Sequence, residues 1–226
     1  MPSPLLTSPQ PHGVQFMKVP ATTVEELPEF VKSLRSCPKS GLHNPLKAPE
    51  RYVMLGKVSV AAAAELRANG DYFAKLIQRV VPKSHAQAMA EVQVTATFLE
   101  NFGGDNVRQL GRGFCVPGDH AGQQSVGYRW PFGPVAVISP FNFPLEIPVL
   151  QLMGALYMGN RPTLKPDTRV AVVMEQFMRM LIHCGLPASD VDMLCADGPT
   201  TGRFVRSAKP RSVQFTGSSR AAGMCS

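Results

Sequence analysis

Four short apolar runs, at residues 135–139, 162–166, 191–195 and 212–216, begin at intervals that leave room for one helix between each pair. Helical patterns fill those intervals at Leu145–Met158, Val170–His183 and Thr200–Ser207. The second shows a clear stripe at Val170, Val173, Phe177 and Leu181, the spacing of one buried helix face. The first is apolar nearly all round, as a helix covered on several sides is. Strand and helix alternating at this spacing predict a parallel sheet. The expected fold class is α/β: a helical N-terminal region followed by an incomplete doubly wound parallel sheet.

Upstream of residue 122 the pattern is helical. Thr23 and Glu26 have capping-box spacing ahead of the apolar face Leu27, Phe30, Val31 and Leu34. Three prolines and a glycine mark Cys37–Pro49 as a loop. Ser59 is expected to cap a helix through Arg67 that Gly70 closes, and Asp71 the next, which ends before Pro82. Ser84 and Gln87 repeat the capping-box spacing and open a long helix to about Phe102, which Gly103 and Gly104 terminate. Gln123–Trp130 reads as an extended arm. The expected organisation is a flexible, proline-rich leader (1–22), a helical N-terminal part of the cofactor domain (23–121), the arm (122–132) and a partial α/β domain (133–226).

Composition narrows the function classes. A chain of 226 residues with 44% hydrophobic and 17% charged content suits a globular protein. The longest apolar stretch, Ile147–Met158, is broken by Pro148, Gln151 and Gly154 and is too short to span a bilayer, so no membrane partner is expected. The net charge is +7, and Arg203, Arg206, Lys209, Arg211 and Arg220 all follow the last acidic residue, Asp197. These read as a solvated basic surface, with an anion- or RNA-binding tail as a lesser alternative. No motif supports nucleic-acid binding. The five cysteines form no CxxC pair, so neither a metal site nor a disulfide framework is expected, and a reducing compartment suits them.

In an open parallel sheet, ligands bind beyond the carboxyl ends of the strands. Three polar segments fall there: Pro140-Phe141-Asn142-Phe143-Pro144, Lys165-Pro166-Asp167 and Thr216-Gly217-Ser218-Ser219. The last offers close approach at glycine, hydroxyls and free N–H groups, which suits a diphosphate. Lys165 offers a donor for a ribose or phosphate. Asn142 offers an uncharged amide N–H between rigidifying prolines, which suits a developing oxyanion. Neither a Gly-x-Gly-x-x-Gly fingerprint nor a Walker loop is present.

At these residues the chain resembles the aldehyde dehydrogenase superfamily. Pro140–Pro144 is similar to its Pro-Trp-Asn-Phe-Pro motif, and Gly159-Asn160 through Lys165-Pro166 to its Gly-Asn…Lys-Pro segment. Cys184-Gly185-Leu186-Pro187 and Phe215-Thr216-Gly217-Ser218 follow in the family's order. Within the superfamily, Glu25–Val31, Ser36–Pro45 and Arg129–Pro134 resemble the plant-type pyrroline-5-carboxylate dehydrogenases. That resemblance implies NAD-dependent oxidation of glutamate semialdehyde, the open form of pyrroline-5-carboxylate, to glutamate. It also implies an aldehyde substrate, a homo-oligomer and a mitochondrial setting.

Carried over by position, Asn142 is the oxyanion-hole side chain. Ile138, Ser139, Pro140 and Phe141 line the nicotinamide end, and Lys165 holds the adenosine ribose. Gly198 and Gly202 flank the adenine, and Phe215, Thr216, Gly217 and Ser218 meet the diphosphate. Thr168 stands where many members have a ribose-binding glutamate, so the choice of NAD over NADP rests on the subfamily likeness. The family's mechanism also needs a cysteine nucleophile and a glutamate base. Neither context, Gly-Gln-x-Cys nor Leu-Gly-Gly, occurs here, and the surroundings of Cys225 match neither. The expectation is a chain without the catalytic domain and inactive by itself. The alternative is a nucleotide-binding or interaction fragment.

Overall fold

A computed structural model describes residues 5–7 and 18–223. Two three-residue strands, β1 (Leu5–Thr7) and β2 (Lys18–Pro20), pair antiparallel. Val19 is buried in the main core, and the Thr22 N–H donates to the Cys195 carbonyl at 2.7 Å. This corrects the expectation of a flexible leader for its described residues; residues 1–4 and 8–17 lie outside them.

Helix α1 (Leu27–Arg35) starts one residue after Glu26, whose carboxylate accepts the Thr23 N–H at 2.8 Å. The capping-box pair therefore folds the turn that leads into the helix. Helix α2 spans Glu50–Ala68 without a break, so the expected start at Ser59 is corrected. Ser59 is fully buried in mid-helix. Its hydroxyl donates to the Leu99 carbonyl at 2.7 Å and shares a 2.6 Å hydrogen bond with the Tyr157 hydroxyl. A serine whose hydroxyl is used across a helix interface has no need to cap. Gly56, one turn earlier, admits the backbone of the following chain: a Cβ there would lie 2.5 Å from the Gly104 carbonyl oxygen.

Helix α3 (Gly70–Val80) and helix α4 (His85–Asn101) complete the helical layer. The expected capping box is formed: Ser84 Oγ accepts the Gln87 N–H, and Gln87 Oε1 accepts the Ser84 N–H at 3.0 Å. The chain then makes a hairpin from β3 (Gly113–Pro117) and β4 (Gln124–Tyr128), with Cys115 opposite Val126. Strand β4 lies within the expected arm. Its partner β3 falls in the stretch read as helical, which is a third correction; it is a strand because β4 pairs with it.

The parallel sheet follows as β5 (Pro134–Ile138), α5 (Glu146–Tyr157), β6 (Arg161–Lys165), α6 (Ala171–His183), β7 (Asp192–Met193), α7 (Gly198–Ala208), β8 (Ser212–Phe215) and α8 (Ser219–Ala222). The strand order is β7-β6-β5-β8, and every pair is parallel. The expected run at 191–195 shrinks to two paired residues at this sheet edge, although the Leu194 N–H still donates to the Leu164 carbonyl at 2.8 Å.

Side-chain alternation divides the strands between two layers. Val137 and Leu164 face the larger core, built with α2 through α6. Ala136 and Ile138 face the smaller one, shared with Leu27 and Leu34 of α1 and Phe204 and Val205 of α7. The stripe Val170, Val173, Phe177 and Leu181 is buried throughout. Helices on both faces of a parallel sheet make the fold α/β and doubly wound. Among the described residues, no helix is long and apolar enough to cross a membrane.

Candidate functional site

The chain leaves β5 for β6 and β7 on one side, then returns through α7 to β8 on the other. Crossovers depart in opposite directions there, so a crevice opens beyond the carboxyl ends of β5 and β8. Register places Ile138 opposite both Lys165 and Phe215. Two hydrogen bonds extend that alignment past the strands: the Ser139 N–H donates to the Lys165 carbonyl at 3.1 Å, and the Thr216 N–H to the Ile138 carbonyl at 3.0 Å. Residues from three distant segments thus share one edge.

Ile138 and Ser139 are buried at this edge. The Ser139 hydroxyl has no hydrogen-bond partner among the described residues, and neither does the buried amide oxygen of Gln151. The amide nitrogen of Gln151, on α5, donates to Thr216 Oγ1 at 2.7 Å. Two buried polar atoms without partners beside a switch point are what a polar ligand would satisfy. Gln151 sits inside an apolar helical run, and its polarity there is the signal by which the sequence marks it.

Phe215 and Thr216 are half-buried, and Gly217 and Ser218 exposed. Ser218 Oγ accepts the Ala221 N–H at 3.3 Å and opens α8. Lys165 is half-buried at the end of β6. Next to it stands Asp197, whose side chain accepts the Thr200 N–H at 2.8 Å and caps α7. Hydrogen bonds from Thr200 hold the Asp197 carboxyl below the usual range, with Lys165 and Arg203 adding to the pull. Gly198 opens α7 and Gly202 lies buried about one turn further on.

Pro140 to Phe143 form an exposed or half-exposed turn between β5 and α5, with Asn142 exposed. The rings on either side of Asn142 each lie under a cation. The Arg169 guanidinium is 4.2 Å from the Phe141 centroid, and Lys83 Nζ is 3.9 Å from that of Phe143. Arg169 is held by Asp167 at 3.0 Å. Burial would raise the Asp167 carboxyl, but hydrogen bonds from the Arg169 side chain and backbone outweigh it and keep the group low. Lys83 is held by buried Glu91 at 2.7 Å, and Glu91 also accepts the backbone N–H groups of Leu145 and Glu146. Neither Lys83 nor Glu91 was marked by a motif.

Cys195 leaves β7 at the same edge. It is buried, and burial pushes its thiol up to about 11, so it stays protonated and unreactive near neutral pH. Cys225 lies outside the described residues. Among the described residues, no group of three or more His, Cys, Asp or Glu side chains could hold a metal ion.

A model of the aldehyde dehydrogenase family matches residues 6–224. Over 213 residues the chain is 58% identical to a probable aldehyde dehydrogenase of Linum usitatissimum, covering 93% of this chain and 39% of that protein. It is equally 58% identical to the mitochondrial delta-1-pyrroline-5-carboxylate dehydrogenase 12A1 of Arabidopsis thaliana, covering 93% of this chain and 38% of the relative. The chain therefore spans about two fifths of the length of these curated relatives. Among solved structures, an NADP-dependent enzyme of E. coli matches with TM-score 0.83 and 22% identity, over 98% of this chain and 46% of the other. An NAD-dependent benzaldehyde dehydrogenase of Corynebacterium glutamicum matches with TM-score 0.80 and 18% identity, over 98% and 48%. At those identities the likeness is one of fold.

Proposed function

We propose, from the premise that this chain belongs to the aldehyde dehydrogenase family, that its sheet edge is the dinucleotide site of an enzyme oxidising glutamate semialdehyde to glutamate. The observation that carries the site is the alignment of Ile138 with Lys165 and Phe215 at the switch point, beside the unpartnered Ser139 hydroxyl. The substrate follows from the 58% identity to a relative named for pyrroline-5-carboxylate. That relative's name also supports a mitochondrial setting.

The residues present fit NAD. Ser139 offers a buried hydroxyl to the nicotinamide end, where Ile138, Pro140 and Phe141 supply apolar surface, and Gln151, bonded to Thr216, offers its amide oxygen nearer the diphosphate. Lys165 donates to the adenosine ribose. Gly198 and Gly202 allow the adenine to lie close against α7, and Phe215 to Ser218 present backbone and hydroxyl groups to the diphosphate. When bound, NAD supplies the hydride acceptor. Asn142 directs its amide N–H at the oxygen that gains charge when the aldehyde carbon becomes tetrahedral, a contribution that stabilises the transition state more than the ground state. NAD over NADP rests on the subfamily likeness, because Thr168 carries no carboxylate to repel a second phosphate.

The nucleophile and base are not among the residues of this site. Cys195 is sealed in the core, and no glutamate stands in the family's base motif. The 226-residue polypeptide taken alone therefore binds the dinucleotide without turning it over. The hairpin β3–β4 exposes Phe114, Val116, Val126 and Tyr128, which supports a second subunit covering it in the whole enzyme.

Calorimetric titration of the purified chain with NAD tests the site. Saturable binding is expected, weakened about tenfold or more in Lys165→Met. Failure to bind any dinucleotide refutes the site. Production of NADH from pyrroline-5-carboxylate by the same sample refutes the inactivity.

A further inference from the structure

We propose that Lys83 and Glu91 are positioning residues: they hold the turn that carries Asn142 in place for its oxyanion role, and the proposal rests on that reading of Asn142. The segment directly after Asn142 is gripped at two points by this one ion pair. One Glu91 oxygen accepts the N–H groups of Leu145 at 2.9 Å and Glu146 at 3.2 Å, the start of α5. Leu145 occupies the cap position and has no side-chain oxygen to do this, while Pro144 and Pro148 carry no N–H. The other oxygen accepts Lys83 Nζ at 2.7 Å, which fixes the ammonium 3.9 Å from the Phe143 centroid.

The Glu91 side chain is 1% exposed and that of Lys83 is 14% exposed. A charge so buried persists only while paired and fully hydrogen-bonded, so the pair is held to one geometry. Phe143, by contrast, is 39% exposed, so burial covers only part of its ring. The Lys83 cation adds a directional hold on the ring. On the other side of Asn142, Phe141 is held in the same manner by Arg169 and Asp167. Asn142 is therefore an exposed polar residue between two rings, each beside a cation that a carboxylate anchors. An oxyanion donor acts only when pre-aimed, which is what such a clamp provides.

Capping α5 alone would be a merely structural role, and substitution separates the two. Glu91→Gln keeps an oxygen for Leu145 and Glu146 but releases Lys83. Lys83→Met removes the cation, Lys83→Arg restores one, and Phe143→Leu removes the ring while leaving the ion pair whole. The readout is the backbone order parameter of Asn142 by nitrogen-15 relaxation in the 226-residue chain. It is expected to fall from about 0.85 to below about 0.6 in Glu91→Gln, Lys83→Met and Phe143→Leu, and to recover in Lys83→Arg. An unchanged Asn142 in a folded Phe143→Leu or Glu91→Gln chain overturns the proposal, as does a loss of order spread evenly over the sheet. Titrating NAD into the wild-type sample reads the underlying assignment separately. Absent shifts at Ser139 and Thr216 would sink the dinucleotide site and leave the clamp standing.

Discussion

Lowering the pH from 7 to 5 is expected to cost this fold about 2 kcal/mol through one side chain, His43. The ring is 1% exposed and packs edge-on against Tyr52, with centroids 4.5 Å apart. Its Nε2 lies 3.2 Å from the Tyr157 carbonyl oxygen. A carbonyl only accepts, so Nε2 carries the proton and Nδ1 is the bare nitrogen. Nδ1 is buried without a partner among the described residues, so a proton there would bring an unpaired charge into the core. Burial accordingly lowers the pKa to about 4, with Arg51 adding to it and the Tyr157 carbonyl opposing. The unfolded side chain titrates near 6.5. Between those values only the unfolded chain holds the proton, so stability is whole above about 6.5 and drains away as the pH falls towards 4. The full gap is worth up to roughly 3 kcal/mol, of which about 2 falls between pH 7 and 5. Urea unfolding of the wild type and His43→Gln at both pH values measures it. Glutamine can still donate to Tyr157 but does not titrate, so its loss on acidification is expected to be smaller by that amount. Equal losses in the two proteins would refute a buried neutral ring.

Two further perturbations test the packing behind the site. Cys195, with its thiol near 11, is expected to resist iodoacetamide at pH 8 in the folded chain while exposed Cys115 reacts, read by peptide mass spectrometry; comparable labelling of both would show that β7 opens. Gly159 has φ +85°, and a Cβ there would lie 2.0 Å from the His43 carbonyl oxygen. Gly159→Ala is expected to lose ~1–3 kcal/mol from backbone strain alone and more from the clash, lowering the urea midpoint. A variant with the native midpoint would mean that the loop carrying His43 yields freely.

By itself the sequence determined the elements whose signal is local. The alternation of short apolar runs with helical stripes places β5, β6, β8 and the intervening helices within one or two residues of where they stand. Ser84 and Gln87 cap α4 as their spacing requires. Convergence of the segments after β5, β6 and β8 was legible too, because parallel strands bring their carboxyl ends to one edge whatever else the chain does. Elements that depend on a distant partner were not. Ser59 has the composition of a cap, and only Leu99 and Tyr157, packed against it from other helices, decide that it lies inside one. Strand β3 exists because β4 returns beside it, and β2 because β1 pairs with it. The support of the Asn142 turn belongs to the same class. Lys83 and Glu91 look like solvent-facing charges in the sequence, yet the tertiary structure buries them at the start of α5. Hydrogen bonds along a helix or capping box join residues a few positions apart, so sequence encodes them directly. Pairing a buried charge with a backbone 54 residues away depends on how layers pack, and only the folded chain decides it.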